Sequence, residues 1–498
     1  MKKRICLGLG PGLLLLCRWV LAGTFGAGGA WALGVSLWMI FWWITRPVGL
    51  TVTALVPVVA NAFLSLAPMD HLLAQYASSS IVLLFAATLL TLPWEKIGLD
   101  HRIALRCLAF IGPSMKSQIT VWFLAATLFS IVLPNAVVVA VFTPTALAML
   151  KAAGYRGSDP AAGPILCAIV FGSVVGGVGT PVGGAMDVIA ATLYQQATGE
   201  EFLFTRWFGA FLPYLGTATA ATLGVQLLQK DPVSRLQGTR EYFLAECRRL
   251  GSMSRDKKIC LGLFGLALAG SFLRPLYAPV LPGLQPAYLY GSLGFLLFFI
   301  NGKDGKPLLT WNYAQQHMIW GVLILFAGGL AMGDLLEASG ANGRLARWVG
   351  EMAPAPGLPL VAGIVLLGAF LSEVSSITIS SALTVPLVIT YTQSAGLPLL
   401  PYWMAAVMGF NGAFLLPTGI RAIPCGAGLD TATLFQRGLP VCAVRIYWET
   451  RVEPLYPRAA RVCGADLVCG GDGVDGRIDG RPSSTAADCC PCNSPMVY

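Results

Sequence analysis

Apolar runs of about 20 residues recur along nearly the whole chain, separated by short polar segments. A helix needs roughly 17–25 predominantly apolar residues to cross a bilayer. The pattern therefore predicts an all-α polytopic membrane protein with about ten to twelve candidate segments. Two stretches interrupt this pattern, SIVLPNAVVVAVFTP (Ser130–Pro144) and SEVSSITISSALTVP (Ser372–Pro386), because they place prolines and hydroxyl groups between apolar runs.

These two interruptions belong to an internal repeat with one fixed spacing. Glu95 matches Glu337 at a distance of 242 positions, which is 337 minus 95. The same offset holds over about sixty residues without a gap, which is more than two unrelated apolar helices would give. It relates the following further pairs: Gly98 and Gly340, Arg102 and Arg344, Ser130 and Ser372, Ala140 and Ala382, Pro144 and Pro386. The chain is therefore predicted to consist of two homologous halves.

Charge supports this division and indicates an orientation. Only 11% of the 498 residues are charged, against about 25% in soluble proteins, and the net charge is +9. The segment Lys230–Lys258 has eight basic and four acidic residues, so the positive-inside rule places it in the cytoplasm and no nucleic-acid partner is needed to explain the charge. The hairpin Glu95–Lys116 has a basic excess that its counterpart Asp334–Glu351 lacks, which favours inverted repeats with broken helices and reentrant hairpins.

The predicted organisation has five parts. Residues 1–24 combine a basic start with an apolar run, which fits an anchor or a signal-like segment. The polar segment 446–498, rich in Gly, Asp, Arg and Pro, is predicted to be disordered. The full division is 1–24, the first transmembrane repeat 25–227, the cytoplasmic linker 228–258, the second repeat 259–445 and the tail 446–498.

The interrupted segments have a chemistry that suits ions. In transporters built from inverted repeats, broken helices from corresponding places form the substrate site near the membrane midplane. Free carbonyl and hydroxyl oxygens bind sodium, and helix N-termini favour a carboxylate or sulfate. Two further loops, glycine-rich Phe171–Val188 and Phe414–Gly428, lie at related places. The alternatives are hydroxyl groups bonded within or between helices and glycines used for helix packing.

Several motifs in order resemble the divalent anion:sodium symporters, also called sodium:sulfate or sodium-dicarboxylate symporters, of the ion transporter superfamily. They are WWITRPVGLTVTALVP (Trp42–Pro57), GGVGTPVGGAMD (Gly176–Asp187) and WGVLILFAGGLAMGDLLEASG (Trp320–Gly340). The resemblance implies a secondary transporter of small divalent anions, such as C4-dicarboxylates or sulfate, in the cell membrane. It further implies sodium as coupling ion with no other cofactor, a scaffold and a moving transport domain that work as an elevator, and a homodimer among membrane lipids.

The resemblance also implies the site residues. Each half of a family member has a hairpin tip with the sequence Ser-Asn-Thr, which binds sodium and the anion; here the tips read Pro134-Asn135-Ala136 and Ser376-Ile377-Thr378. The residues matched to the anion are Asn135, Gly184, Thr378 and Arg421. The residues matched to sodium are Asn135, Gly183, Ser372, Ser375, Ser376 and Gly419.

Three departures leave alternatives open. The second loop is two residues short and has Arg421 where the family has proline, and the first loop ends in Asp187 instead of asparagine. Glu373 lies beside the second tip, and an acidic group inside a membrane is often functional. A proton-coupled or uncoupled carrier using Glu373 or Asp187 is one alternative, and a degenerate, non-transporting scaffold or sensor is another. Enzyme activity is not indicated, because no nucleophile and base occur in a catalytic pattern.

Overall fold

The computed structural model describes residues 2–341, 343–344, 355–374 and 377–451. Within these ranges the chain forms helices and two isolated β-bridges but no strand, as the apolar runs predict. The α-helices in chain order are α1 Lys2–Thr45, α2 Leu50–Thr53, α3 Val56–Leu64, α4 Met69–Ala74, α5 Ser79–Ile97, α6 Leu99–Leu108, α7 Met115–Val132, α8 Asn135–Ala152, α9 Ala162–Gly177, α10 Ala185–Thr198, α11 Phe204–Leu228, α12 Thr239–Arg249, α13 Arg255–Phe272, α14 Arg274–Tyr277, α15 Pro286–Leu296, α16 Trp311–His317, α17 Trp320–Ala338, α18 Leu358–Val374, α19 Ile377–Ser394, α20 Leu399–Phe410, α21 Ala422–Gly426 and α22 Thr431–Arg451.

Among the described residues, the helices of full membrane-span length are fewer than the apolar runs that the sequence shows. Six of the described helices are long and apolar enough to cross a bilayer, and four others are apolar but shorter. Three of the short ones, α9, α18 and α20, end at the glycine-rich loops or at the second tip. The short helices therefore end where the sequence predicts broken helices, inside the protein, where backbone polar groups can be satisfied by other protein groups.

The spacing of 242 recurs in the helix bounds. When α8 is shifted by 242 positions, its two ends coincide with those of α19, and the last residue of α7, Val132, coincides with that of α18, Val374. The helix α5 and its counterpart α17 are each followed within two residues by a glycine with positive φ, Gly98 at 62° and Gly340 at 67°. Each of these glycines donates its amide to the matched glutamate carbonyl, at 3.1 Å from Glu95 and 2.9 Å from Glu337.

Glycines bring α9 into close contact with α7 in the first half, and α20 into close contact with α18 in the second half. A side chain at Gly172 on α9 would collide with the Phe123 carbonyl on α7. In the second half, a Cβ at Gly409 on α20 would lie 2.9 Å from the backbone of Val365 on α18, and Val365 is the 242-offset match of Phe123. This packing holds α9 against α7 and α20 against α18.

The chain ends beyond the two halves have some described structure. The helix α1 contains a non-helical residue, Gly26 with φ 71°, near the predicted boundary at residue 24. The linker between α11 and α13 contains α12, and Arg102 donates to the carbonyls of Leu250 at 3.0 Å and Gly251 at 2.6 Å, which ties the linker to α6. The helix α22 continues to Arg451, past the predicted start of the tail at 446, and residues 452–498 lie outside the described residues.

Candidate functional site

The first half-site lies where the C-terminus of α7, the N-terminus of α8 and the loop 178–184 meet. The Thr180 hydroxyl donates to the carbonyl of Ile131, the penultimate residue of α7. The Gly183 backbone N–H donates to the Thr180 carbonyl at 3.0 Å, and the Asn135 backbone N–H donates to the Gly183 carbonyl at 3.1 Å. The Ser173 hydroxyl donates to the Asn135 carbonyl at 2.9 Å. The loop is thus joined to both helices of the first tip.

The second half-site repeats this arrangement. The Thr418 hydroxyl donates to the Glu373 carbonyl at 3.3 Å, and Glu373 is the penultimate residue of α18 and the 242-offset match of Ile131. The Arg421 amide donates to the Thr418 carbonyl at 3.2 Å. Arg421 therefore takes the place, three residues after the threonine, that Gly183 has in the first half. The two half-sites share a backbone plan and differ in their charge.

Carbonyl oxygens gather around Gly183 in the first half-site. A Cβ at Gly183 would lie 2.7 Å from the Gly177 carbonyl oxygen and 3.1 Å from that of Ile131, and it would collide with the Ser130 carbonyl. Only glycine fits at such a close approach of backbone to backbone. Carbonyl oxygens at the ends of broken helices are sodium ligands in transporters, so this cluster is a place where a cation can be bound without a charged side chain.

A buried carboxylate, Asp187, lies next to this cluster. It is fully buried in the first turn of α10, and its Oδ1 accepts a hydrogen bond from the Asn411 amide at 3.1 Å. Its Oδ2 lies close to Gly184 and has no hydrogen-bond partner among the described residues. Asn411 follows α20, so this contact joins the two halves, as does the edge-on packing of Phe171 against Phe414 at 5.2 Å.

In the second half-site Glu373 and Arg421 form a buried ion pair. Arg421 Nη1 lies 3.1 Å from Glu373 Oε2, and the side chains are only 2% and 10% exposed. The Glu373 carboxylate also accepts three backbone amides, from Phe414, from Leu415 at 2.7 Å and from Leu416 at 2.9 Å. Every oxygen of this carboxylate is therefore used to hold the loop that follows α20.

The remaining donors of Arg421 also stay within the half-site. Nη2 donates to the Thr418 hydroxyl at 2.5 Å and to the Ser372 carbonyl at 3.3 Å, and Nε donates to the Thr418 carbonyl at 3.3 Å. The guanidinium is thus surrounded by carbonyl, hydroxyl and carboxylate oxygens. Gly419, the residue after Thr418, is in the left-handed conformation with φ 57° and is exposed.

The structure assembles most of the sequence-predicted residues into these two half-sites. Asn135, Gly183 and Gly184 meet in the first, and Ser372, Gly419 and Arg421 meet in the second. Thr378, in the first turn of α19, lines a small pocket with Ile189 and Leu193 of α10. The Ser372 hydroxyl is buried without a partner among the described residues. Ser375 and Ser376 lie outside the described residues.

Sequence reasoning missed the loop threonines and the charged pairs. Thr180 and Thr418 carry no distinctive local signal, because Thr180 has glycines one residue before and three residues after it, whereas Thr418 is followed directly by Gly419. Asn411 follows a run of apolar residues, which is itself a signal for a buried amide. Arg445 donates to the Asn411 carbonyl at 3.3 Å and to Glu449 at 2.6 Å, and both charged side chains are 2% exposed.

A membrane protein with two matched, oxygen-lined half-sites at broken helices has the architecture of a secondary transporter. The citrate transporter family model matches residues 40–409, which is most of the chain, so the protein belongs to the citrate transporter family. It is a multi-pass transporter of the cell membrane and not an enzyme, as the motifs predict.

Curated relatives agree with this assignment. The chain is 28% identical over 435 residues to the sodium-dependent dicarboxylate transporter SdcS of Staphylococcus saprophyticus, with 80% of each chain covered. It is also 28% identical over 434 residues to the protein of the same name from Staphylococcus aureus, again with 80% of each covered. Among solved structures, the YdaH transporter of Alcanivorax borkumensis aligns with a TM-score of 0.47 and 13% identity, covering 76% of this chain and 84% of that one.

Proposed function

We propose that this protein is a sodium-coupled symporter of small dianions, with C4-dicarboxylates as the first candidates and sulfate and singly protonated citrate as further ones. The observation that carries the proposal is the matched pair of half-sites, in which a loop threonine binds the end of the tip helix in each half. Two curated relatives at 28% identity are named as sodium-dependent dicarboxylate transporters, which supports this substrate class.

The anion is proposed to bind at the N-termini of α8 and α19. These ends carry the positive end of the helix dipole, which favours a carboxylate. Asn135 and Thr378, in the first turns of these helices, and the Gly184 backbone are the proposed contacts. Arg421 was matched to the anion as well, but its charge is paired with Glu373, so we assign it to holding the second half-site.

Sodium is proposed to bind at the carbonyl cluster of the first half-site, with the Gly183 backbone and the Asn135 side chain as ligands. In the second half the residues matched to sodium are Ser372, Ser375, Ser376 and Gly419. Movement of a transport domain against a scaffold, as an elevator, would carry the bound ions across, and we propose a homodimer as the assembly. Cross-linking in native membranes tests this assembly, because a homodimer should give a cross-linked product of twice the monomer mass.

The function is tested by uptake into proteoliposomes. Purified protein is reconstituted, and labelled succinate, malate, citrate and sulfate are offered under an inward sodium gradient, with choline replacing sodium in parallel vesicles. Sodium-dependent uptake of at least one dianion is expected, and Asn135→Ala should abolish it. Asn301→Ala, at an exposed position outside the half-sites, is the matched control and should transport normally. Absence of uptake under every gradient would refute the proposal and leave the scaffold or sensor alternative.

Proton coupling is the second candidate, and Asp187 is the observation that favours it. This buried carboxylate has one oxygen without a partner among the described residues, so it can hold either a proton or a sodium ion. The same vesicles with a pH gradient and no sodium discriminate the two. Uptake driven by the pH gradient alone would replace sodium coupling by proton coupling, and uptake indifferent to both gradients would indicate an uncoupled carrier.

A further inference from the structure

The two half-sites are alike in backbone and opposite in chemistry at two positions. Ile131 and Gly183 of the first half correspond to Glu373 and Arg421 of the second, because each pair has the same relation to the loop threonine. The first half-site therefore has no charged group in these two places. The second has a carboxylate and a guanidinium, joined at 3.1 Å.

The guanidinium of Arg421 lies among atoms that would otherwise bind a metal cation. Its N–H groups donate to the Ser372 carbonyl, the Thr418 hydroxyl and carbonyl, and the Glu373 carboxylate. These are oxygen ligands of the kind that sodium takes from broken helices. The Ser130 carbonyl, which the 242 offset matches to that of Ser372, belongs instead to the cluster of carbonyl oxygens around Gly183.

We propose that Arg421 is a built-in cation that replaces an exchangeable sodium ion in the second half-site. A guanidinium is always protonated at accessible pH and cannot leave, since the chain holds it. Glu373 alone would be an uncompensated buried charge, which is strongly unfavourable, and Arg421 neutralises it permanently. The second half-site thus has its cation in every step of a transport cycle, and only the first half-site exchanges a coupling ion with solution.

This inference rests on the proposed function for its role in coupling, but its test uses sodium binding without any anion. Radioactive sodium is bound at equilibrium to the purified full-length protein, and the saturating number per protomer is compared between wild type and Arg421→Ala. Removal of the guanidinium leaves Glu373 with the surrounding oxygens as an empty cation site. The variant is therefore expected to bind about one sodium ion more than wild type, because the number of ions bound at saturation equals the number of sites, which the Hill coefficient cannot exceed.

Two further variants control this comparison. Arg421→Lys keeps a tethered positive charge and should bind as many sodium ions as wild type. Arg437→Ala breaks a different buried pair, with Asp231 at 2.8 Å, outside the half-sites, and should also leave the number unchanged. Added guanidinium should compete with the extra sodium ion of Arg421→Ala while leaving wild-type binding unaffected.

Equal sodium numbers in wild type and Arg421→Ala would overturn the proposal. If Arg421→Ala does not yield folded protein, the double variant Glu373→Ile with Arg421→Gly copies the residues of the first half and removes both charges. It too is expected to bind about one more sodium ion than wild type, and an unchanged number would refute the inference. Uptake by the wild type is measured in parallel. If the wild type does not transport but the predicted difference in sodium binding is found, only the proposed function is contradicted.

Discussion

Replacement of Glu373 by glutamine should destabilise the protein strongly, although the side chain keeps its size. In the native structure the carboxylate accepts three backbone amides of the loop and pairs with Arg421. Glutamine keeps one oxygen that can accept these hydrogen bonds. Its NH₂ group replaces the other oxygen and would face N–H donors from which it cannot accept. Arg421, with its side chain 2% exposed, would be left buried without a counter-charge.

The size of the effect follows from the loss of one partner of a buried pair, which costs about 3–5 kcal/mol. A chain of 498 residues has an unfolding entropy of about 1 kcal/mol per kelvin, from about 2.1 cal/mol/K per residue. Glu373→Gln should therefore lower the midpoint of thermal unfolding by about 3–5 °C. Fluorescence-detected unfolding of the detergent-solubilised protein measures this shift.

The matched control is Glu200→Gln. Glu200 pairs with Arg206 at 3.2 Å, but its side chain is 71% exposed, and exposed pairs contribute about 0–1 kcal/mol. The double variant Glu373→Gln with Arg421→Gln removes both charges and should be less destabilised than Glu373→Gln alone, since no uncompensated charge remains. An unfolding midpoint for Glu373→Gln equal to that of Glu200→Gln would refute the view that this pair holds the second half-site together.

Three further substitutions test the half-sites through sodium-dependent uptake. Asn135→Ala should abolish uptake, because it removes the side-chain amide at the first tip; uptake near the wild-type rate would exclude Asn135 from the site. Ile377→Asn should leave the sodium response unchanged, because Arg421 already supplies the cation of the second half-site; a steeper sodium curve would show that the second tip can bind exchangeable sodium. Asp187→Asn should weaken apparent sodium affinity by about tenfold, the effect of roughly 1.4 kcal/mol, because it removes the free buried carboxylate oxygen; equal sodium affinity together with lost pH dependence would assign Asp187 to proton binding instead.

The sequence was sufficient to predict the helices and the places where they break. Apolar runs specify membrane helices because backbone groups in a bilayer must bond within the segment, and this requirement is local. Proline at position 134 and the polar run from Ser372 mark the tips for the same local reason. The repeat of 242 was also visible, since homologous halves keep the helix ends that local capping and packing require, as Gly98 and Gly340 do.

Only the tertiary structure decided which charges meet. Glu373 and Arg421 are 48 positions apart, and Asp187 and Asn411 are 224 positions apart, so no local pattern connects them. The correspondence of Gly183 with Arg421 was hidden as well. These two residues are 238 positions apart, which is 421 minus 183, as the loop threonines are, whereas the helices match at an offset of 242. Helices are specified by neighbouring residues, whereas the pairing of buried charges depends on how close packing brings distant segments together. Here that packing gave the second half-site a buried ion pair and the first an uncharged cluster of carbonyl oxygens.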